Sequence, residues 1–287
     1  MKSLINIFCY TLTLALLAAC NSDRGSELAN HLTFYASFDD GFEADIALGD
    51  PTLYIAPSLS RAAEELEPYD GQNDLGRIVE DEGRYGNALY LDLPYDPILF
   101  YRGDNNMPYL EQNWSGSVSF WMKLDPADLA PGYSDPIQIT SRGWNDGALF
   151  VDFTDEDPRI FRFAIFPDRE VWDPEKRDWN DVPIEERPMV DVPEPPFSND
   201  RWTHVAFTFN NFNTGNSDGV VNCYLDGQLF DTLSGREKTI TWTPGRVAIW
   251  LGYNFRGYLD ELSIFDRSLT DDEILQIYEL ENGIRGL

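Results

Sequence analysis

Two histidines, His31 and His204, are all that the 287-residue chain contains. Neither stands in a zinc-ligand spacing, and no G-x-S-x-G elbow exists to pair with one. Zinc chemistry and serine hydrolysis therefore have almost no residues to rest on. Positive charge is also scarce: 21 Lys and Arg face 50 Asp and Glu, a formal charge of −29. Such a surface repels nucleic acid and anionic lipid headgroups, so neither is an expected partner, and the acids read as a solvated shell. Past residue 20 no apolar run is long enough to span a bilayer. Helical periodicity is almost absent until the end of the chain.

What the chain does have begins with MKSLINIFCYTLTLALLAAC. Lys2 gives a positive start, Leu4 to Leu17 an apolar stretch, and Ala18 and Ala19 a small-residue exit, which together make a secretory signal and not a fold element. The ending LAAC resembles the bacterial lipobox. That resemblance implies a signal peptide over 1–19 and a Cys20 that is lipidated on its sulfur and becomes the mature N-terminus. Residues 20–27 are then the lipidated Cys and a short polar tether. The expected location is the bacterial cell envelope, held by the lipid anchor only, with Asn21 leaning toward the outer membrane. Cysteine is thereby exhausted: Cys9 leaves with the signal, Cys20 carries lipid, and Cys223 is left without a disulfide partner. In VVNCYLDG, Cys223 shares the parity of Val221 and Leu225 and reads as a buried core thiol.

Hydrophobic residues make up 43% of the chain, enough for a sizeable core in residues 28–287, read as one domain. Strand signals dominate. HLTFYASFDD alternates Leu32, Phe34, Ala36 and Phe38; SGSVSFWMKLDP alternates Val118, Phe120, Met122 and Leu124. GNALYLDL, GALFVDF, RIFRFAIF, RWTHVAFTFN, VVNCYLDGQLF, RVAIWLGYN and GYLDELSIFD bring the count to about nine strands, bounded by Gly, Pro, Asn and Asp. Asp226–Gly227 predicts a tight hairpin turn. Thr270 and Glu273 form a T-x-x-E capping box, with Asp271 and Asp272 in the first turn, so one short helix is expected at about 271–279. PSLSRAAEEL, near Pro57, suggests another helical turn. Two stretches, 43–80 and 167–200, read as long loops; the second holds seven Pro and two Trp, which favours a shaped loop. Many short strands with frequent turns make an all-β sandwich or barrel.

Five stretches taken together carry a resemblance: GRYGNALYLD (83–92), GSVSFWMKLDP (116–126), RWTHVAFTFN (201–210), CYLDGQLF (223–230) and LGYNFRGYLDELSIFDRSLTDDEILQIYE (251–279). In order and spacing they resemble the LamG-like jelly-roll proteins of the concanavalin A-like lectin/glucanase superfamily, from about residue 32 to 280. The resemblance implies a two-sheet antiparallel jelly-roll β-sandwich, about six or seven strands per sheet, here with one short C-terminal helix. Sandwiches of this kind often bind glycans on one face.

Asp260 is out of place. It shares its parity with Tyr258, Leu262 and Ile264, on what should be a core face, where an ionised carboxylate needs a partner. Backbone N–H groups, an Arg or a metal could serve. The resemblance implies a structural Ca²⁺ where the first strand meets a late strand, and it maps Asp39 or Asp40, Gly86 and Asp260 as the ligand set. It does not supply a catalytic pair. The E-x-D-x-x-E strand of the related glucanases is missing, VDFTDEDPR being the nearest run, and the R-x-E-x-R and Q-x-H strands of the alginate-lyase relatives are missing too. His204 sits where the family commonly has a structural His. Binding is therefore expected in place of catalysis, of a carbohydrate or of an envelope protein. Tyr133, Trp144, Asn145, Asp146, Trp172 and Trp179 are the loop residues suited to it, whereas Trp121, Trp202, Trp242 and Trp250 lie in strands and read as packing residues.

Overall fold

The computed structural model describes residues 27–58 and 66–287. The signal peptide, Cys20, nearly all of the tether and most of the helical turn expected after Pro57 lie outside the described residues.

Numbered in chain order, the strands of the first sheet are β1 (Leu32–Ala36), β2 (Ile46–Ala47), β5 (Gly76–Val79), β6 (Ala88–Asp92), β8 (Trp114–Lys123), β13 (Thr203–Phe212), β14 (Gly219–Leu225), β15 (Gln228–Arg236) and β17 (Arg256–Phe265). Their order is β15-β14-β13-β8-β17-β1-β2, with β6 also paired to β17 and β5 to β6. The second sheet holds β3 (Leu53–Ala56), β4 (Glu67–Pro68), β7 (Ile98–Arg102), β9 (Ser134–Thr140), β10 (Ala148–Phe153), β11 (Phe161–Phe166), β12 (Met189–Val192) and β16 (Ala248–Tyr253). It runs β12-β11-β10-β9-β16-β7-β3-β4. Both sheets pair antiparallel throughout. The sheets are richer in strands than alternation indicated, because 43–80 and 167–200 contribute β2 to β5 and β12, and because β7 and β9 form between the expected strands.

Alternation explains how the sheets face each other. Val118, Phe120 and Met122 of β8 point into one core cluster with Ile137 and Ile139 of β9, Leu149, Val151 and Phe153 of β10, and Ile249 and Leu251 of β16. Removing a large side chain here, as in Phe120→Ala, costs about 3–5 kcal/mol because the cavity closes only in part. Cys223 is in this core, where burial pushes its thiol well up and keeps it unreactive. Between β14 and β15 the chain turns at Asp226 (φ 49°) and Gly227 (φ 74°), with Leu225 opposite Gln228, as a two-residue primed turn requires. The terminal helix spans Asp271–Glu279; Thr270 and Glu273 cap each other, and Arg267 grips the Glu273 carboxylate at 2.6 and 2.8 Å. That grip holds the Glu273 carboxyl down to about 2. Ile274 and Ile277 pack the helix onto Leu32, Tyr35 and Phe265.

Asp260 does not point between the sheets. Leu259, off the expected parity, is in the core, while Tyr258 lies outside and meets Tyr90 edge-on at 4.8 Å. A register shift between Asp260 and Ser263, with Glu261 at φ 55°, returns Leu262 and Ile264 to the core. Asp260 is fully buried on the other face, opposite Trp121.

Candidate functional site

The outer face of the second sheet should be polar if it met water. Instead a row of side chains crosses it from strand to strand: Tyr54, Phe100, Trp250, Gln138, Phe150, Ala164 and Met189 are successive cross-strand partners. Phe100 lies 5.2 Å from Trp250 and 5.9 Å from Tyr54, ring centre to ring centre. Small residues, Ala164 in the row and Ala148 and Ala248 beside it, leave space above the sheet.

The segment 167–200 covers one end of that face. Its short helix Arg169–Trp172 and the residues after it are tied down by Asp173, which accepts from Arg169 (3.1 Å) and Arg177 (2.8 Å). Arg187 lies 4.1 Å from the Trp179 ring centre and bonds the Trp179 carbonyl at 3.2 Å. Trp172, Trp179 and Met189 pack on Ala148, Phe150, Ala164 and Phe166. The other end stays open. There a cavity of about 580 Å³ is floored by Gln138, Phe150, Asp152, Arg162 and Trp250 and walled by Tyr95, Tyr133, Trp144, Trp179 and Tyr253, with Arg142 and Arg246 also lining it.

Polar groups on the floor are few and buried. Arg162 holds Asp152 in a two-point bond, Nε to Oδ1 at 2.8 Å and Nη2 to Oδ2, and its guanidinium lies 5.2 Å from the Tyr133 ring centre. A register shift between β9 and β10 accompanies the placement of Asp135, which shares the parity of the core residue Ile137 yet lines the cavity. Burial pushes the Asp135 and Asp152 carboxyls up. At Asp152 the Arg162 hydrogen bonds oppose this, whereas at Asp135 Arg162 acts only through space and the Asp152 charge adds to the rise. Of the two carboxyls, Asp135 is pushed up further, because only Asp152 has the Arg162 hydrogen bonds to hold it down.

The residues expected from sequence divide. Tyr133, Trp144 and Trp179 line the cavity; Trp144 is 41% exposed and meets Trp179 edge-on at 5.2 Å. Asn145 and Trp172 line a second hollow that shares Trp144 and Trp179 with the first. The Trp172 Nε1 donates to the Asn145 carbonyl at 2.9 Å. Asp146 lies in neither; it accepts from the Arg169 amide at 2.8 Å and pairs with Arg142 at 3.2 Å. Sequence reasoning missed the floor. Trp250 is on this face and not between the sheets, as are Gln138, Asp152 and Arg162. Their signal was polar residues in the middle of apolar strands (PIQIT, LFVDF, IFRFAIF), on the parity opposite the core. His204 is a buried packing residue: burial pushes it down to about 3, it meets Ser119 at 2.8 Å, and its ring lies tilted 5.1 Å from that of Trp121.

At the expected calcium position the residues present do not fit an ion. Asp260 accepts from the amides of Arg84 (2.6 Å), Tyr85 (3.2 Å) and Glu261 (2.8 Å), so both its oxygens are engaged. Asp39 accepts from the Asn87 amide at 2.8 Å and pairs with Arg285 at 3.0 Å. Arg285 also reaches Asp40 (2.8 Å) and Asp45. The Gly86 carbonyl accepts from the Gly83 amide at 2.9 Å. Among the described residues no three His, Cys, Asp or Glu stand together as a metal site.

A two-sheet antiparallel sandwich of this topology defines a concanavalin A-like domain. The family model Laminin_G_3, described as concanavalin A-like lectin/glucanases superfamily, matches residues 103–275, and the chain belongs to that family. Similar solved structures include the binding domain of Paraclostridial Mosquitocidal Protein 1 (TM-score 0.53, 16% identity, 88% of this chain and 52% of that one). The binding domain of botulinum neurotoxin DC is similar in its complexes with rat synaptotagmin II and with SialylT, each at TM-score 0.55, 12% identity, 88% of this chain and 52% of that one. The chain spans about half the length of these toxin domains, and identities this low show a shared fold alone. No curated protein matches the chain.

Proposed function

We propose that the chain is a non-catalytic, lipid-anchored envelope protein that binds carbohydrate in the cavity over the second sheet. The observation that supports this best is the cavity itself: Trp144, Trp179, Tyr133, Tyr95, Tyr253 and Trp250 around a small buried polar floor. Aromatic faces stack on sugar rings while a few placed polar groups orient them. The family is consistent with this, and one similar toxin domain is bound to SialylT. The buried carboxyls are poorly suited to glycoside hydrolysis, because Asp152 is committed to Arg162. A glycan array with the purified chain should return at least one ligand, and a reducing-end assay on mixed polysaccharides should return no cleavage. Cleavage would make the protein an enzyme.

The similar domain bound to synaptotagmin II favours a second reading, an envelope protein as partner for the same face. An empty glycan array combined with capture of a defined envelope protein, lost in Trp144→Ala, would select it. Anchoring rests on LAAC and Cys20. Several acyl chains hold firmly, since about 0.8 kcal/mol per buried CH₂ accumulates. Cys20→Ala should leave the chain unprocessed or soluble; a processed variant still in the membrane fraction would remove the anchor.

A further inference from the structure

Gln138 sits in the centre of the aromatic row, between Trp250 on one neighbouring strand and Phe150 on the other. It is 3% exposed, and its Nε2 has no hydrogen-bond partner. Trp250 is 5% exposed, and its Nε1 is unpartnered as well. Both line the cavity. A buried N–H without an acceptor has lost its bond to water and gained nothing, and native proteins keep few of them. Two on paired cavity-lining residues are donors that a small turn of each side chain would present to a ligand's acceptor oxygens.

We infer that Gln138 and Trp250 read the ligand through these two N–H donors, and that the ligand is an uncharged sugar, offering hydroxyl or ring oxygens and no carboxylate. The inference rests on the carbohydrate reading above and narrows it. Charge carries the second half. Of the three guanidinium groups that line the cavity, Arg162 is bound at two points to Asp152, Arg142 pairs with Asp146 and Asp168, and Arg246 is not without a partner either. No guanidinium on the floor is left to neutralise an incoming carboxylate, which would also meet Asp152. Across the whole chain it would meet a formal charge of −29. Asp135 also lines the cavity, among Asp152, Arg162, Tyr95 and Tyr253, and burial together with the Asp152 charge pushes its carboxyl up. A sugar hydroxyl can accept from at most two donors, the number that Gln138 and Trp250 supply, and still give its own proton to a neighbouring acceptor.

Isothermal titration of the full chain in detergent tests this. The neutral probes are gluco-, manno-, xylo- and N-acetylglucosamine oligomers; the acidic probes are oligogalacturonate and sialyllactose. At least one neutral oligomer should bind, with both acidic probes at least tenfold weaker. Gln138→Leu and Trp250→Phe should each weaken the neutral ligand about tenfold or more. Neither should lower the melting temperature much, since each removes an unpartnered buried donor. A neutral sugar bound equally well by both variants, or a preference for the acidic probes, overturns the inference and leaves the carbohydrate reading standing. Binding of no oligosaccharide from either set removes both.

Discussion

Replacing Arg162 by Met probes the cavity floor most directly. The side chains are of similar length, so packing is largely kept while one charge goes. Asp152 then loses both bonds to its partner and keeps the company of the equally buried Asp135. Side-chain exposures of 9% for Arg162 and 4% for Asp152 mean that water cannot replace the guanidinium. Breaking a buried pair from one side costs about 3–5 kcal/mol, because an unpaired charge is left behind. Removing both charges, in Arg162→Met with Asp152→Leu, should recover most of that, since apolar replacements of a buried pair are often neutral. The sign of the pH dependence follows. In the single variant the Asp152 carboxyl is raised further above its unfolded value. Stability is then kept below the unfolded pKa and lost as pH rises toward the folded one. The penalty should therefore shrink as pH falls from 7 toward 5 and the carboxyl takes up its proton, by at most about 1.4 kcal/mol for each pH unit. Urea midpoints for the parent, the single and the double variant at pH 5, 6 and 7 give all three quantities. A single-variant cost under about 1 kcal/mol at pH 7, or a penalty that does not narrow at pH 5, would refute a desolvated ion pair at this floor.

Trp144→Ala and Trp172→Ala should separate ligand contact from packing. Trp144 is exposed, so its loss should cost little stability and weaken glycan binding by about 0.5–1.5 kcal/mol. Trp172, edge-on to Phe166 at 5.0 Å and bonded to Asn145, should instead cost about 2 kcal/mol of stability, read in thermal melts. Glu261 is pushed up to about 7, chiefly by burial, from the ordinary 4.5. Its contribution should be complete below about pH 4.5 and fade as pH rises through 7, by about 3 kcal/mol, and the difference between parent and Glu261→Gln melts isolates it. Because N–H donors and Arg285 already satisfy Asp260 and Asp39, chelator and added Ca²⁺ should leave the melting temperature unchanged. A chelator-induced drop restored by calcium, and lost in Asp260→Asn, would place an ion there.

The parts of this molecule that were legible in its sequence are those where residue type differs between the two faces of an element or where a turn or cap has few solutions. β8 and β13 are buried on both faces, yet small or polar residues (Ser117, Ser119; His204, Ala206, Thr208) alternate with large apolar ones, the Asp226–Gly227 turn admits few conformations, and Thr270 with Glu273 marks its helix by the bonds it makes. β7 escaped because Ile98 to Tyr101 are buried on both faces, so ILFYR has no alternation to read. β9 escaped because SDPIQIT opens with turn-type residues and is likewise buried throughout. Asp260 misled through one bulge residue, since a single extra position exchanges the faces of everything after it. The same reasoning divides the candidate site. Trp144 stood out because a Trp at a turn has no core to fill. Trp250 did not, because in AIWLGY a Trp packed between sheets and a Trp flooring a cavity have the same neighbours in the chain. Only the pairing of Trp250 with Gln138, and of Asp152 with Arg162 one row further on, tells them apart. Each polar residue alone is an irregularity in an apolar strand. On paired strands, over a face that an ordinary core would not need to line with rings, they become the donor set of a binding floor.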